Sequence, residues 1–314
     1  MRVAALCGGV GAARLLPGLA ALLPPRLLTA VVNVADDCEL HGLHISPDVD
    51  TITYTVAGLV NPETGWGLAG ETWATMEALK RFARVVPRGS GAGATWFNLG
   101  DRDLATHLYR TGRLAEGAPL SQVTIELAAT FGVGFRLLPV TDDRVRTFLV
   151  VDGRELDFQA WFVGRRHEGT VSAIRFEGAE SATPAPGVVE ALRDADRIVV
   201  CPSNPLVSIA PIMAISAVRA AVEERRADVI AISPIVDGTA LKGPAASLLA
   251  DLGHEVSVVG VARLYRHFAS TLVIDEADAG LAEAVEAEGI RAVVAPAVMR
   301  DLDAATALAG IVLG

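Results

Sequence analysis

The sequence predicts an α/β protein. It reads as a doubly wound parallel sheet carried as one domain over residues 1–314, with a β-rich inserted subdomain at about 135–180. Three observations predict this. The chain opens as strand, glycine turn and helix. From Arg197 onward, short Val/Ile runs alternate with helical patterns, and that alternation implies a parallel sheet. Between Phe135 and Gly178 the pattern changes to short β-type runs joined by Asp-Gly and Gly-Arg turns. A chain of 314 residues, 51% hydrophobic and 20% charged, is long and apolar enough to bury a large core.

Arg2 to Cys7 is the first apolar run, followed by Gly8-Gly9-Val10-Gly11-Ala12-Ala13-Arg14. Leu15, Leu16, Leu19, Leu22 and Leu23 then recur at helical spacing. Glycines let backbone approach a ligand, and a helix N-terminus offers free N–H groups to an anion. Gly8, Gly9 and Gly11 are therefore candidates for a phosphate or nucleotide loop, with Arg14 as a bidentate partner. A plain tight turn is the alternative. The Gly-Lys-Ser/Thr of a Walker loop is absent, and Arg14 stands where a dinucleotide fingerprint has its third glycine.

A second strand follows Pro24-Pro25 (Leu28, Val31, Val32, Val34) and runs into Asn33, Asp36 and Asp37, then Ser46, Pro47, Asp48 and Asp50. Four carboxylates this close repel one another unless protons, a cation or basic partners offset the charge. They also fall where open α/β sheets bind ligands, past the carboxyl end of a strand. The reading is an oxygen-ligand site for Mg²⁺ facing substrate; a solvated acidic loop with capping residues is the alternative.

Helices are expected over Thr51–Leu59, Glu71–Ala83, a stretch carrying Leu104, Leu108 and Leu114 that Asp101 or Asp103 would cap, and Leu120–Ala129. Trp66, in a turn-rich segment, is expected to plug the core. Arg88–Ala94 reads as a mobile Gly/Ser-rich loop. His107 reads as a structural helix histidine. In the insertion, Asp142 and Asp143 are expected to pair with Arg144 and Arg146. Strands are then expected at Arg197–Val200, Val229–Ile232, Val256–Val259, Leu272–Ile274 and Arg291–Ala295. Helices are expected over Val207–Val222, from Lys242 to Leu252, over Ala279–Glu288 and over Ala304–Leu313. Cys201-Pro202-Ser203-Asn204-Pro205 repeats the design of the first turn. Ser203 and Asn204 offer a hydroxyl and an amide to a diphosphate or base across the crevice. No Gly-x-Ser-x-Gly elbow surrounds Ser203, so it binds and does not attack.

A formal charge of −10 excludes a general nucleic-acid surface, and an anionic substrate then needs local donors or a metal. Three cysteines without a Cys-x-x-Cys suit a reducing cytosol, so a cytoplasmic location is expected. No unbroken apolar run is long enough for a membrane span. Phosphate loops and a carboxylate cluster without a covalent nucleophile fit phosphoryl or nucleotidyl transfer, where positioning and charge neutralisation dominate.

With these motifs in view, the chain resembles the 2-phospho-L-lactate transferase family, whose actinobacterial members use the enolpyruvyl donor. The matching stretches are GGVGAAR (Gly8 to Arg14), VVNVADD (Val31 to Asp37), ISPDVDT (Ile45 to Thr51), NPETGWG (Asn61 to Gly67) and LGDRDLATH (Leu99 to His107). They continue through TDDRVRT (Thr141 to Thr147), PSNPLVSIAPI (Pro202 to Ile212), SPIVDGTALKGPA (Ser233 to Ala245) and GVARLY (Gly260 to Tyr265). The resemblance implies a Rossmann-like core, Mg²⁺ dependence and a homodimer. It implies transfer of a phospholactyl or phosphoenolpyruvyl group from lactyl- or enolpyruvyl-diphosphoguanosine to the 5-deazariboflavin Fo. GMP would leave, on the path to coenzyme F(420). By the same resemblance Asp50 matches the family's Fo-binding aspartate. Asn98 matches the other Fo position, where a basic residue is common. Asp36 is the leading metal ligand, with Asp50 second, and these two carboxylates are the expected catalytic pair. Gly11-Ala12 stands where the family has Gly-Gly, and Cys201 where it has Gly. A regulatory nucleotide- or nucleotide-sugar-binding protein of a related gluconeogenesis-factor family is the competing reading; LGDRDLATH and ISPDVDT favour the transferase.

Overall fold

The computed structural model describes residues 1–87, 90 and 94–314. Most of the Arg88–Ala94 stretch, expected to be a mobile loop, lies outside the described residues.

Seven parallel strands form the central sheet: β1 (Val3–Cys7), β2 (Leu28–Val32), β5 (Arg136–Pro139), β9 (Arg197–Val200), β10 (Val229–Ile232), β13 (Thr271–Ile274) and β14 (Arg291–Val294). The remaining strands form small hairpins and the insertion: β3 (Cys38–Leu40) with β4 (Leu43–Ile45), β11 (Ile235–Val236) with β12 (Thr239–Ala240), and β6 (Arg146–Val151), β7 (Arg154–Asp157) and β8 (Val171–Glu177). The central order is β14-β13-β10-β9-β1-β2-β5. The chain therefore winds outward from β1 to β5, then returns to β9 and winds the other way. This is the doubly wound, Rossmann-like topology, and its switch point lies between β1 and β9. β1, β9, β10 and β13 have no exposed residue, as strands covered by helices on both faces require.

Helix α1 (Gly9–Leu22) packs Leu15, Leu16 and Leu19 into the core and runs against the last helix, Leu302–Leu313. A Cβ on Gly18 would stand 2.4 Å from the Ala305 carbonyl, so only glycine permits this approach. Helix α2 (Pro47–Val56) begins four residues before the expected Thr51, because Pro47 is already set for a first turn. That shift places both Asp48 and Asp50 in the first helical turn.

Several expectations are corrected. Val256–Val259 is not a strand: Ser257 accepts from the Val259 and Gly260 amides and starts a helix over Val258–Tyr265. Short buried helices and buried strands both read as unbroken apolar runs, and here the cap decides. Trp66 is 50% exposed and plugs nothing. Of Trp73, Met76, Leu79 and Phe82, only Met76 is buried on α3 (Ala74–Phe82). Asp101 caps α3, accepting from Ala74 and Thr75, whereas Glu71 receives the Arg102 and Asp103 amides that open α4 (Asp103–Ala115). The two caps are exchanged between neighbouring helices. Asp142 accepts from Ser121 at the start of α5 (Leu120–Thr130), and Asp143 from Thr183. Arg144 and Arg146 pair instead with Glu39 and Asp157. Of the β-type runs after Phe135, the first joins the central sheet as β5. The other three strands form a separate antiparallel sheet in the order β7-β6-β8. The run ELDFQAWFV is strand only to Asp157; Ala160–Gly164 is a wide helical turn.

Candidate functional site

At the switch point the loops after β1 and β9 are locked together. Ser203 Oγ donates to the Gly8 carbonyl at 2.8 Å and accepts the Gly8 amide at 3.2 Å. A Cβ on Gly11 would lie 1.9 Å from the Pro202 carbonyl, and one on Gly8 2.5 Å from Ser208 Cβ. Gly11 lets two backbones touch, and Gly8 makes room for the Ser208 and Asp48 side chains. Gly9, at φ +64, is there for its conformation, and its amide donates to Asp48 Oδ1 at 2.7 Å. A carboxylate thus sits on the helix N-terminus where the sequence suggests a phosphate. Asn204 caps the turn after it through the Leu206 amide, while its buried Nδ2 has no partner and is free to donate to a ligand. Arg14 is exposed and reaches the Met299 carbonyl at 3.4 Å, away from these loops' mutual contacts.

The acidic loop resolves into two clusters. In the first, Asn33 Nδ2 bridges Asp36 Oδ1 (3.3 Å) and Asp48 Oδ2 (3.0 Å). Burial pushes the Asp36 carboxyl well up, and Asp48 and Asp37 add to this. Burial raises Asp48 to about 6, against the pull of Asn33 and the Gly9 amide. Asp37 Oδ2 takes Ser46 and His44, and its buried Oδ1 has no partner. Asp36 and Asp48, both buried and joined only by a neutral amide, offer the carboxylate oxygens that a hard divalent cation takes.

The second cluster is already neutralised. Arg110, fully buried on α4, grips Asp50 with both terminal nitrogens, Nη1 to Oδ2 at 3.1 Å and Nη2 to Oδ1. His107 stands 3.7 Å from Asp50 and 3.3 Å from Asp103, and Tyr54 donates to Asp103 at 2.5 Å. Burial pushes Asp50 up, while Arg110 and His107 pull the other way. Asp50, Asp103 and His107 bring ligand atoms within 4.8 Å of one another. A guanidinium that cannot lose its proton already holds Asp50, so Asp36 and Asp48 are the carboxylates left without a cationic partner among the described residues.

A family model described as 2-phospho-L-lactate transferase CofD matches residues 3–305. The chain belongs to the 2-phospho-L-lactate transferase family. It is 43% identical to a phosphoenolpyruvate transferase of Streptomyces griseus, over 98% of this chain and 96% of that protein. It is 40% identical to another of that name from Mycolicibacterium smegmatis, with the same coverage. Among solved structures, a member of the UPF0052 family from Bacillus halodurans aligns with a TM-score of 0.62, covering 100% of this chain and 98% of that one. Identity there is 15%, so that likeness speaks for the fold alone. As a member of the 2-phospho-L-lactate transferase family, the chain is a transferase of a phosphorus-containing group in coenzyme F(420) biosynthesis.

In this family member, Gly8, Gly9, Gly11, Ser203 and Asn204 come together at the crevice, and Asp36 stands beside Asp48. Asp36 and Asp50 belong to separate hydrogen-bonded groups, and Asn98 is exposed beyond the undescribed stretch. Sequence reasoning counted Asp48 among the four carboxylates of the acidic loop without singling it out, and it passed over Arg110 and Gln159. Asp103, His107 and Arg110 follow i, i+4, i+7 spacing, which puts them on one helix face and was a legible signal. His107 lies on the helix as expected, 1% exposed and set between Asp50 and Asp103. Among the described residues no single helix is long and apolar enough to cross a membrane.

Proposed function

We propose that this protein transfers a phospholactyl or phosphoenolpyruvyl group from the matching diphosphoguanosine donor to Fo, releasing GMP. The ribityl terminal hydroxyl of Fo attacks the phosphorus nearest the three-carbon acid. That phosphorus–oxygen bond forms as the bond to the GMP phosphate breaks. The observation that carries this reading is the pair Asp36 and Asp48, joined by Asn33 and set on the Gly9 amide beside a crevice with a free amide donor at Asn204.

Mg²⁺ is the proposed cofactor. Asp36 and Asp48, which share the Asn33 amide, would hold it, and it would neutralise charge on the departing GMP phosphate. A carboxylate of the acidic loop not engaged by the cation would take the hydroxyl proton as the new bond forms. Asp50, held in place by Arg110, is suited to accept a hydrogen bond from Fo, as the family resemblance implies. Asn204 Nδ2 donates to the diphosphate. The resemblance also leads us to propose a cytoplasmic homodimer, which sedimentation of the pure protein tests.

The direct experiment mixes protein, Fo, Mg²⁺ and each donor, and follows GMP by chromatography. GMP release is expected, with a loss of about 10²–10³-fold in kcat for Asp36→Asn. Silence with both donors, or full activity in that variant, would overturn the proposal. Tight sugar-nucleotide binding without Fo binding would favour a regulator instead.

A further inference from the structure

We infer that Gln159 is a positioning residue for the cation at Asp36, and that presenting it is the part the inserted sheet plays in the site. The inference rests on the cation reading proposed above. Gln159 is 3% exposed, and its Nε2 donates to the Asp36 carbonyl at 3.2 Å and to Asp36 Oδ2 at 3.4 Å. Asn33 donates to the other carboxylate oxygen. Both oxygens of Asp36 are therefore steered by neutral amides.

The choice of an amide matters. A guanidinium in this place would satisfy the carboxylate and cancel its charge, as Arg110 does for Asp50. An amide fixes the orientation and leaves the negative charge for a metal. Carboxylates that ligate metals are themselves held by such outer hydrogen bonds.

The insertion is built to hold this amide still. Phe158 and Trp161 flank it and anchor in a second core with Leu149, Val151, Val171 and Leu248. The Gln159 backbone N–H donates to Asp157 Oδ1 at 3.0 Å, and Asp157 is held in turn by Arg146 at 2.7 Å. At the start of β6, Thr147 donates to the Ala35 carbonyl at 2.7 Å, tying the inserted sheet to the acidic loop one residue before Asp36.

The test titrates the full chain with Mn²⁺ and reads free ion by electron paramagnetic resonance, alongside melting in EDTA. Gln159→Met fills the same volume without a donor, and Gln159→Ala removes it. Both are expected to weaken Mn²⁺ binding by about 10–100-fold. In turnover, KM for Mg²⁺ should rise while kcat at saturating Mg²⁺ stays near wild type. Mn²⁺ affinity within about twofold of wild type in both variants would refute the role of Gln159 and leave the cation site standing. Wild-type protein that binds no Mn²⁺ would overturn the cation site and this inference with it. A Gln159→Met protein that melts far lower in EDTA while binding Mn²⁺ normally would make Gln159 purely structural.

Discussion

Arg110→Met should be among the most destabilising single changes in this protein, and replacing Asp50 as well should reverse most of the loss. Arg110 is fully buried and Asp50 is 6% exposed. Two unit charges about 3 Å apart, at an effective dielectric of about 20, attract by about 5 kcal/mol. Most of that attraction offsets the cost of taking both ions out of water, so the pair itself contributes little net stability. Breaking it is another matter. Methionine strands a buried carboxylate near Asp103, and such a loss costs about 3–5 kcal/mol. At roughly 2 °C per kcal/mol for a chain of this size, the midpoint should fall by about 6–10 °C. Arg110→Met/Asp50→Asn keeps the volume and removes both charges, so it should recover at least half of that fall. Asp50→Asn alone should also destabilise, because it leaves a guanidinium buried without its counterion. Its activity must therefore be read together with its melting point. The assay is urea and thermal unfolding by circular dichroism on the four proteins of the cycle. A single-mutant loss under about 1 kcal/mol, or a double mutant no better than the sum of the singles, would refute this account of the pair.

Three further outcomes are expected from the same structure. Gly11→Ala should cost about 1–3 kcal/mol in thermal unfolding, since its Cβ would meet the Pro202 carbonyl at 1.9 Å. Gly112→Ala, exposed inside α4 with nothing within 4 Å, should instead stabilise by about 0.5–1 kcal/mol; equal effects at the two positions would refute the packing argument. Glu71→Ala should cost about 0.5–2 kcal/mol by uncapping α4, and hydrogen exchange should quicken in the first turn of α4. Exchange unchanged there would show that the cap is not Glu71.

Much of the architecture was legible because buried parallel strands and amphipathic helices leave different periods in the chain. β1, β9, β10, β13 and β14 each end within about a residue of where apolar runs stop. The errors share a cause. Val256–Val259 has a run that suits either element, and only the Ser257 hydroxyl meeting two amides decides for helix. Trp66 looks like core by residue type, but burial depends on what the remainder of the chain lays over it.

The sequence by itself determined the doubly wound sheet, the glycine turn at its switch point, the acidic loop beside it and the family. All of these reside in order and spacing along the chain. Only the tertiary structure decided how the charges are shared. Arg110 lies 60 residues from Asp50 and Gln159 lies 123 from Asp36. A guanidinium neutralises one aspartate and an amide merely orients the other. Whether a carboxylate remains free to hold a cation depends on which partner folding brings within 3.5 Å, and no spacing along the chain encodes that distance.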